Sequence, residues 1–254
     1  MANIVPVRKD QHQNIKIASK RDLSLVANQH IAPISAREYA QAATCYPVVL
    51  VKDPESTRYR SVVMLGLEAG ENLYYSEEKW DAIYIPQSIS LVPFSLGLDP
   101  EKEKTLTTCI DLDSVFVGED KENALFDAKG NDTDFFKGIQ DSLGALYDNE
   151  VMTEKFVQEL ADNDLLLELE LNINFSNNEK KKLVGLFGID EKKLQKLSDE
   201  KVLDFNKRGL FIPIYAMLGS IGQINRLAQL RNQSAAEVKV NGIQFRPVAA
   251  EETK

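Results

Sequence analysis

Histidine is scarce in this sequence. His12 and His30 are the whole supply, and neither belongs to a His-x-His or His-Glu-x-x-His run. Cysteine is equally scarce, with only Cys45 and Cys109 and no Cys-x-x-Cys. Zinc sites and facial iron triads are built from those ligand sets, so no metal is expected. A Ser-His-Asp or Cys-His catalyst would have to use one of two histidines that carry no signature around them. Gly-x-Ser-x-Gly, a Walker loop and Gly-x-Gly-x-x-Gly are missing as well, which removes the nucleophile elbow and two common phosphate cradles. The expectation is a chain without a cofactor, and no catalytic residue can be named.

Two isolated cysteines beside apolar or β-prone neighbours do not form a disulfide framework; they fit a reducing compartment. Long hydrophobic runs are lacking too. The start, MANIVPVRKDQHQ, has no signal-peptide core, and nothing approaches the ~18 apolar residues of a membrane span. A soluble, cytoplasmic protein is expected. Positive charge is in deficit, with 30 Lys+Arg against 39 Asp+Glu and a net charge of -9. The lysines at Lys180, Lys181, Lys182 and at Lys192, Lys193, Lys196 are interleaved with acids and read as a solvated face. Nucleic acid and membrane are therefore not expected partners.

The 254 residues, with 43% hydrophobic and 27% charged, suffice for a folded core. The patterning predicts an α+β fold, with largely antiparallel strands in the N-terminal half and helices plus a β-hairpin in the C-terminal half. A soft boundary near Gly130 divides a strand-rich region, 1–130, from a helix-rich region, 131–254, the two forming one compact unit. In the first region, Leu23 to Val26 and His30 to Ile34 read as extended. Ser35 with Glu38 forms a capping box before a short helix. Val48 to Val51 and Tyr59 to Leu67 read as buried strands joined by a turn at Asp53-Pro54-Glu55-Ser56. Ala82 to Ile85, Ile89 to Phe94, Thr107 to Leu112, Val115 to Val117 and Ala124 to Phe126 read as short strands.

In the second region a helix capped by Asn131 or Asp132 carries Phe135, Phe136, Ile139, Leu143 and Leu146, and another spans Val151 to Ala161. Leu165 to Phe175 alternates with a period of two, and Leu183 to Ile189 is its hairpin partner. Asp190 and Ser198 cap two short helices, the second stopped by Gly209. A last helix runs from Phe211 to Arg231, in which Gly219 and Gly222 suggest close packing. Val238 to Phe245 is a late strand or loose.

The aromatic and turn-forming residues concentrate in Gly66 to Phe94: Tyr74, Tyr75, Tyr84, Pro86, Pro93 and Trp80, the only tryptophan. Rigid rings with polar tips suit a binding surface as well as a core. The residues chosen for ligand or partner binding are Glu71, Asn72, Trp80 and Tyr84. Two acidic stretches carry weaker signals. Asp111-Leu112-Asp113 has the spacing of a divalent pair, and Asp127 to Asp134 lacks the glycine and acid positions of an EF-hand and reads as a turn.

The order Gly66-Leu67, Gly70-Glu71-Asn72-Leu73, Trp80, Tyr84-Ile85-Pro86 and Pro93-Phe94 resembles the centre of the SapC-like family. Glu38 to Ala43 with Tyr46-Pro47-Val48, Leu125-Phe126-Asp127 with Gly130, Leu165-Leu166 and the Gly209 to Leu227 helix extend the likeness over most of the chain. Ser90 stands where the family often has arginine, so an anion contact there is not carried over. The resemblance implies a bacterial protein linked to surface-layer gene clusters or to the neighbourhood of flavin-dependent tryptophan halogenases, and it supplies no catalytic residues. The expected function is that of an accessory protein that binds a protein, peptide or small-molecule ligand through the Gly70 to Phe94 surface. The alternatives are an enzyme using Glu71, Asp81 or Asp111, and a homo-oligomeric structural subunit in contact through the Phe211 to Arg231 helix.

Overall fold

A computed structural model describes residues 3–20, 23–53, 56 and 58–248. Pro54 and Glu55 of the expected turn, and residues 249–254 of the tail, lie outside the described residues. In chain order the first elements are β1 (Ile4–Pro6), α1 (Lys9–His12), β2 (Lys16–Ile17), β3 (Ile31–Pro33), α2 (Tyr39–Ala42), β4 (Val48–Lys52) and β5 (Tyr59–Met64). Next come β6 (Tyr75–Ser76), β7 (Lys79–Trp80), α3 (Gln87–Ser90), β8 (Phe94–Leu98), β9 (Leu106–Asp111), β10 (Val117–Gly118), β11 (Asn123–Ala124) and α4 (Asp134–Asp162). The chain ends with β12 (Leu166–Phe175), β13 (Lys180–Ile189), α5 (Glu191–Leu194), α6 (Asp199–Lys207), α7 (Phe211–Ser220), α8 (Ile224–Gln233) and β14 (Val240–Pro247). The fold is α+β, with antiparallel sheets throughout the described residues.

Two compact units share the chain: Met1–Leu25 with Gln87–Asp148, and Val26–Pro86 with Asn149–Lys254. In the first unit β1 and β8 flank β9, and β10 and β11 flank β2. Its core is built from Ile17, Leu91, Phe94, Ile110, Phe116, Leu125 and Phe126, with Phe136, Ile139 and Leu143 from the start of α4. The second unit is organised on a six-stranded sheet in the order β14-β12-β13-β4-β5-β3. Its two ladders meet along a narrow seam, Leu186 opposite Val51 and Phe187 opposite Leu50. Helix α7 packs against β4 and β13 on either side of that seam. There the buried Ser220 hydroxyl accepts the Val48 N–H at 2.9 Å and donates to the Met217 carbonyl at 2.6 Å.

Several local expectations hold. Ser35 and Glu38 form the capping box, Asp190 and Ser198 accept first-turn amides, and Gly209 takes φ +70. In β12 the residues Leu169, Leu171, Ile173 and Phe175 are buried, as the period of two requires.

Others are corrected. Leu23–Val26 is a 3-10 turn, not extended chain. Ala82 to Ile85 is irregular, because the Tyr46 hydroxyl satisfies the Tyr84 carbonyl that a sheet ladder would have taken. Pro86 precedes the helical turn α3 rather than another strand. The two helices expected between residues 131 and 161 are the single helix α4. Its apolar stripe looked broken because Phe136, Ile139 and Leu143 serve the first unit and Phe156, Val157 and Leu160 belong to the second. Thr133, not Asn131 or Asp132, accepts the Phe136 amide at its start. The last helix is interrupted by a 3-10 turn, Ile221–Gln223, where the Ser220 back-bond tightens the chain before Gly222. Side chains added at Gly219 and Gly222 would meet nothing within 4 Å, so these glycines do not mark close packing.

Candidate functional site

The Gly66–Asn72 turn is held from inside. A Cβ on Gly66 would lie 2.1 Å from the Glu71 carbonyl oxygen, so only glycine fits there. Gly70 takes φ +83, the left-handed conformation that closes the turn. Glu71 accepts the Leu67 amide at 2.9 Å through one oxygen and pairs with Arg231 through the other. Arg231 also reaches Glu68 at 3.4 Å, and Lys181 donates to Glu68 at 2.9 Å, which holds the Glu68 carboxyl below its usual range. Asn72 is buried. Its amide donates to the Val26 carbonyl at 2.8 Å, and its oxygen accepts the Tyr74 N–H at 3.0 Å.

Beyond this turn the aromatic residues form one hydrogen-bonded cluster. Trp80 Nε1 donates to the Tyr46 hydroxyl at 2.8 Å, and that hydroxyl donates to the Tyr84 carbonyl. The Tyr84 hydroxyl donates to Glu38 Oε1 at 2.7 Å, while Glu38 Oε2 accepts the Ser35 N–H and hydroxyl. The Tyr74 hydroxyl donates to the Cys45 carbonyl at 2.6 Å. The Tyr74 ring stacks on Trp80 with centroids 6.3 Å apart and meets Tyr46 edge-on at 4.6 Å. Burial pushes the Tyr46, Tyr74 and Tyr84 phenols above their ordinary pKa, so all three remain protonated donors near neutral pH.

The β6–β7 hairpin that presents Trp80 turns through Glu77 and Glu78, at φ 49 and φ 61. A two-residue turn with both angles positive favours Asn-Gly. Glutamate there costs on the order of 1–2 kcal/mol per residue.

A cleft of about 490 Å³ opens on the wet side of the cluster. Tyr74, Trp80 and Cys45 line it beside Thr44, Asp81 and Ala82. Gln223 and Arg226 close one wall, the first donating to the Thr44 carbonyl at 3.1 Å and the second to Asp81 at 2.7 Å. Ile83 stands on the rim, 92% exposed. A larger cleft, about 630 Å³, lies between Arg58–Tyr59 and the end of α4; charged side chains of both signs make up most of its lining.

Of the residues chosen from sequence, Trp80 lines the cleft, Tyr84 braces it from behind through Tyr46 and Glu38, and Glu71 and Asn72 support the preceding turn. Asp81 lies in the wall, paired with Arg226. Asp111 belongs to the other unit, where it accepts the Asn3 and Asp113 amides. Nothing in the local sequence marks Thr44, Cys45 or Gln223 as part of the cleft. Arg226 carried one signal, being the first charged residue after Arg208. Among the described residues no group of three or more His, Cys, Asp or Glu side chains could hold a metal ion. Asp127, in the stretch compared with a calcium loop, is instead held by the Asn131 and Lys129 amides, which lower its pKa.

The SapC family model matches residues 7–227, which takes in both the turn and every cleft residue. The chain belongs to the SapC family. No curated protein and no solved structure matches it. In this SapC-family chain the motif residues Gly66, Asn72, Trp80 and Tyr84, with Tyr46 upstream, therefore build one braced surface rather than separate features. No described helix is long and apolar enough to cross a membrane.

Proposed function

We propose that this protein is a binding module whose recognition surface is the Trp80 cleft, and that it acts as an accessory protein rather than through bond-making chemistry. The observation that carries this reading is a rigid aromatic floor beside one exposed apolar side chain, Ile83. Tyr74 and Trp80 are locked by hydrogen bonds to their neighbours, while Ile83 stands almost wholly in solvent. Rings that are already fixed lose little entropy on binding. A strained hairpin turn next to them fits a presenting loop. The partner that suits the surface is a protein or peptide whose apolar side chain covers Ile83 and enters the cleft, or a small flat molecule of that size. Arg226 and Asp81 offer polar contacts at its edge. Each carboxylate considered for catalysis is engaged by the fold, Glu71 by Arg231, Asp81 by Arg226 and Asp111 by backbone amides, which supports binding over the enzymatic alternative.

A cytoplasmic location is part of the proposal, supported by two free, buried cysteines. So is the link to surface-layer or halogenase gene systems, which rests on the family resemblance. Affinity purification of the tagged chain from its native host tests the whole reading. A specific partner should co-purify with the native chain and be lost with Ile83→Glu. Partner retention by folded Ile83→Glu and Trp80→Ala variants would place recognition elsewhere. A tightly held metal or cofactor in native mass spectrometry would turn the reading toward an enzyme.

A further inference from the structure

Strand β14 is the outer strand of the six-stranded sheet, with β12 on one side and, among the described residues, no strand on the other. The Val248 N–H donates to the Glu168 carbonyl at 2.9 Å, and the register sets Pro247 opposite Leu169, Phe245 opposite Leu171 and Ile243 opposite Ile173. Hydrogen-bonded pairs alternate along an antiparallel ladder. Gly242, Gln244 and Arg246 therefore turn their backbone groups toward β12, and Ile243, Phe245 and Pro247 turn theirs outward. A bulge between Asn174 and Phe175 resets the alternation, so Val240 also faces out. There Asn232 closes the edge, accepting the Val240 N–H at 2.7 Å and donating to its carbonyl at 2.9 Å. Pro247 closes the other end because it has no N–H. The open window between them is Ile243 to Phe245, with both side chains partly buried and no charge between Lys239 and Arg246.

We propose that this window pairs with the same window of a second copy, β14 against β14, antiparallel about a two-fold axis at Gln244. That register places Ile243 of each copy opposite Phe245 of the other, so the outward N–H and C=O groups of both residues find partners. The apolar pair extends the core side of the sheet across the junction. Gly242, which has no side chain, falls opposite Arg246 of the other copy, so like charges do not meet, and Gln244 meets itself on the polar face. The closed ends limit the contact to this short window, and a second copy fills it with Ile243 against Phe245 and Gly242 against Arg246 at both ends of the axis, as an isologous contact requires. β14 lies beyond the residues matched by the family model, so the inference concerns this chain in particular.

Sedimentation of the full chain over a range of concentrations tests it. The native chain should dimerise. Arg246 donates to Gln244 Oε1 at 3.1 Å, so Gln244→Lys, which faces like charges across the axis beside that guanidinium, should weaken the dimer about fivefold. Gln244→Glu, whose carboxylate the guanidinium offsets, should weaken it less, and an equimolar mixture of the two variants should dimerise better than Gln244→Lys alone. Phe245→Pro, which removes an outward N–H and leaves the β12 ladder intact, should weaken it as well; should that variant misfold, the Gln244 pair carries the test. A native chain that stays monomeric at its highest soluble concentration overturns the proposal. So does a dimer indifferent to the charge at Gln244 and lost on Gly219→Leu, which would place the contact on α7.

Discussion

Replacing Asn72 by alanine separates two roles that its place in the family motif leaves tangled. The side chain is 7% exposed and spends both polar atoms on backbone, the Val26 carbonyl and the Tyr74 N–H. Alanine leaves both groups without a partner in a buried setting. Each such loss costs about 1–3 kcal/mol, and some relief by water entry is expected, so the total should be about 2–4 kcal/mol. Asn72→Asp keeps the acceptor for Tyr74 but turns a carboxylate toward the Val26 carbonyl, and should lose at least as much. Urea unfolding followed by fluorescence is the assay. Trp80 is the only tryptophan, so the signal reports on the unit that contains Asn72 and not on the whole chain. With a slope of roughly 2 kcal/mol per molar, the midpoint should fall by about 1–2 M. A midpoint that moves by less than a few tenths molar, together with loss of partner binding, would refute the reasoning and make Asn72 a contact residue.

Ser220→Ala removes the hydroxyl that accepts the buried Val48 N–H and should cost about 1–3 kcal/mol in the same assay, although no charge or ring is touched. Glu77→Asn combined with Glu78→Gly relieves the positive angles of the β6–β7 turn; stability should rise by about 1–2 kcal/mol, read as a higher unfolding midpoint. Arg226→Ala and Asp81→Ala break a half-exposed ion pair, so stability should change by less than about 1 kcal/mol while partner affinity, measured by calorimetry, falls. Burial lowers the pKa of His12, whose Nδ1 accepts the Arg8 N–H at 2.8 Å. The unfolded chain then binds the proton first: stability is full above pH 6.5 and falls as pH drops from there to the folded pKa. His12→Gln should remove that part of the pH dependence in midpoints measured at several pH values; an unchanged slope would contradict it.

What local pattern can carry was legible before the structure. The alternation in β12 needs only one wet face, and the Ser35–Glu38 box needs only three residues of spacing. Long-range pairing has no such trace. Ile4 lies against Asp111, and nothing near either residue announces the other. The same holds for the cleft. Trp80 stands out because it is alone, but Gln223 and Arg226 reach it from the 3-10 turn and the start of α8, far along the chain. Glu71 and Asn72 were conspicuous because a polar turn beside aromatic residues must bind something, and what they bind includes the chain itself. The uninterrupted helix α4 reads as two in sequence because its apolar face serves two separate cores, and a stripe that changes direction looks like a break.

The seam in the six-stranded sheet also bears on synthesis. Strands β3, β4 and β5 are made early and close together, yet β13, which completes the neighbouring edge of β4, is made much later. At a chain-elongation rate of about 5–20 residues per second, that delay is on the order of ten seconds. Through it, Val48, Val49 and Leu50, all buried in the finished protein, lack the β13 neighbour and the α7 packing that β4 has there. The nascent chain thus carries an apolar ladder with an open edge for far longer than a hairpin takes to form. An edge left open in this way is a site for wrong pairing until β13 arrives.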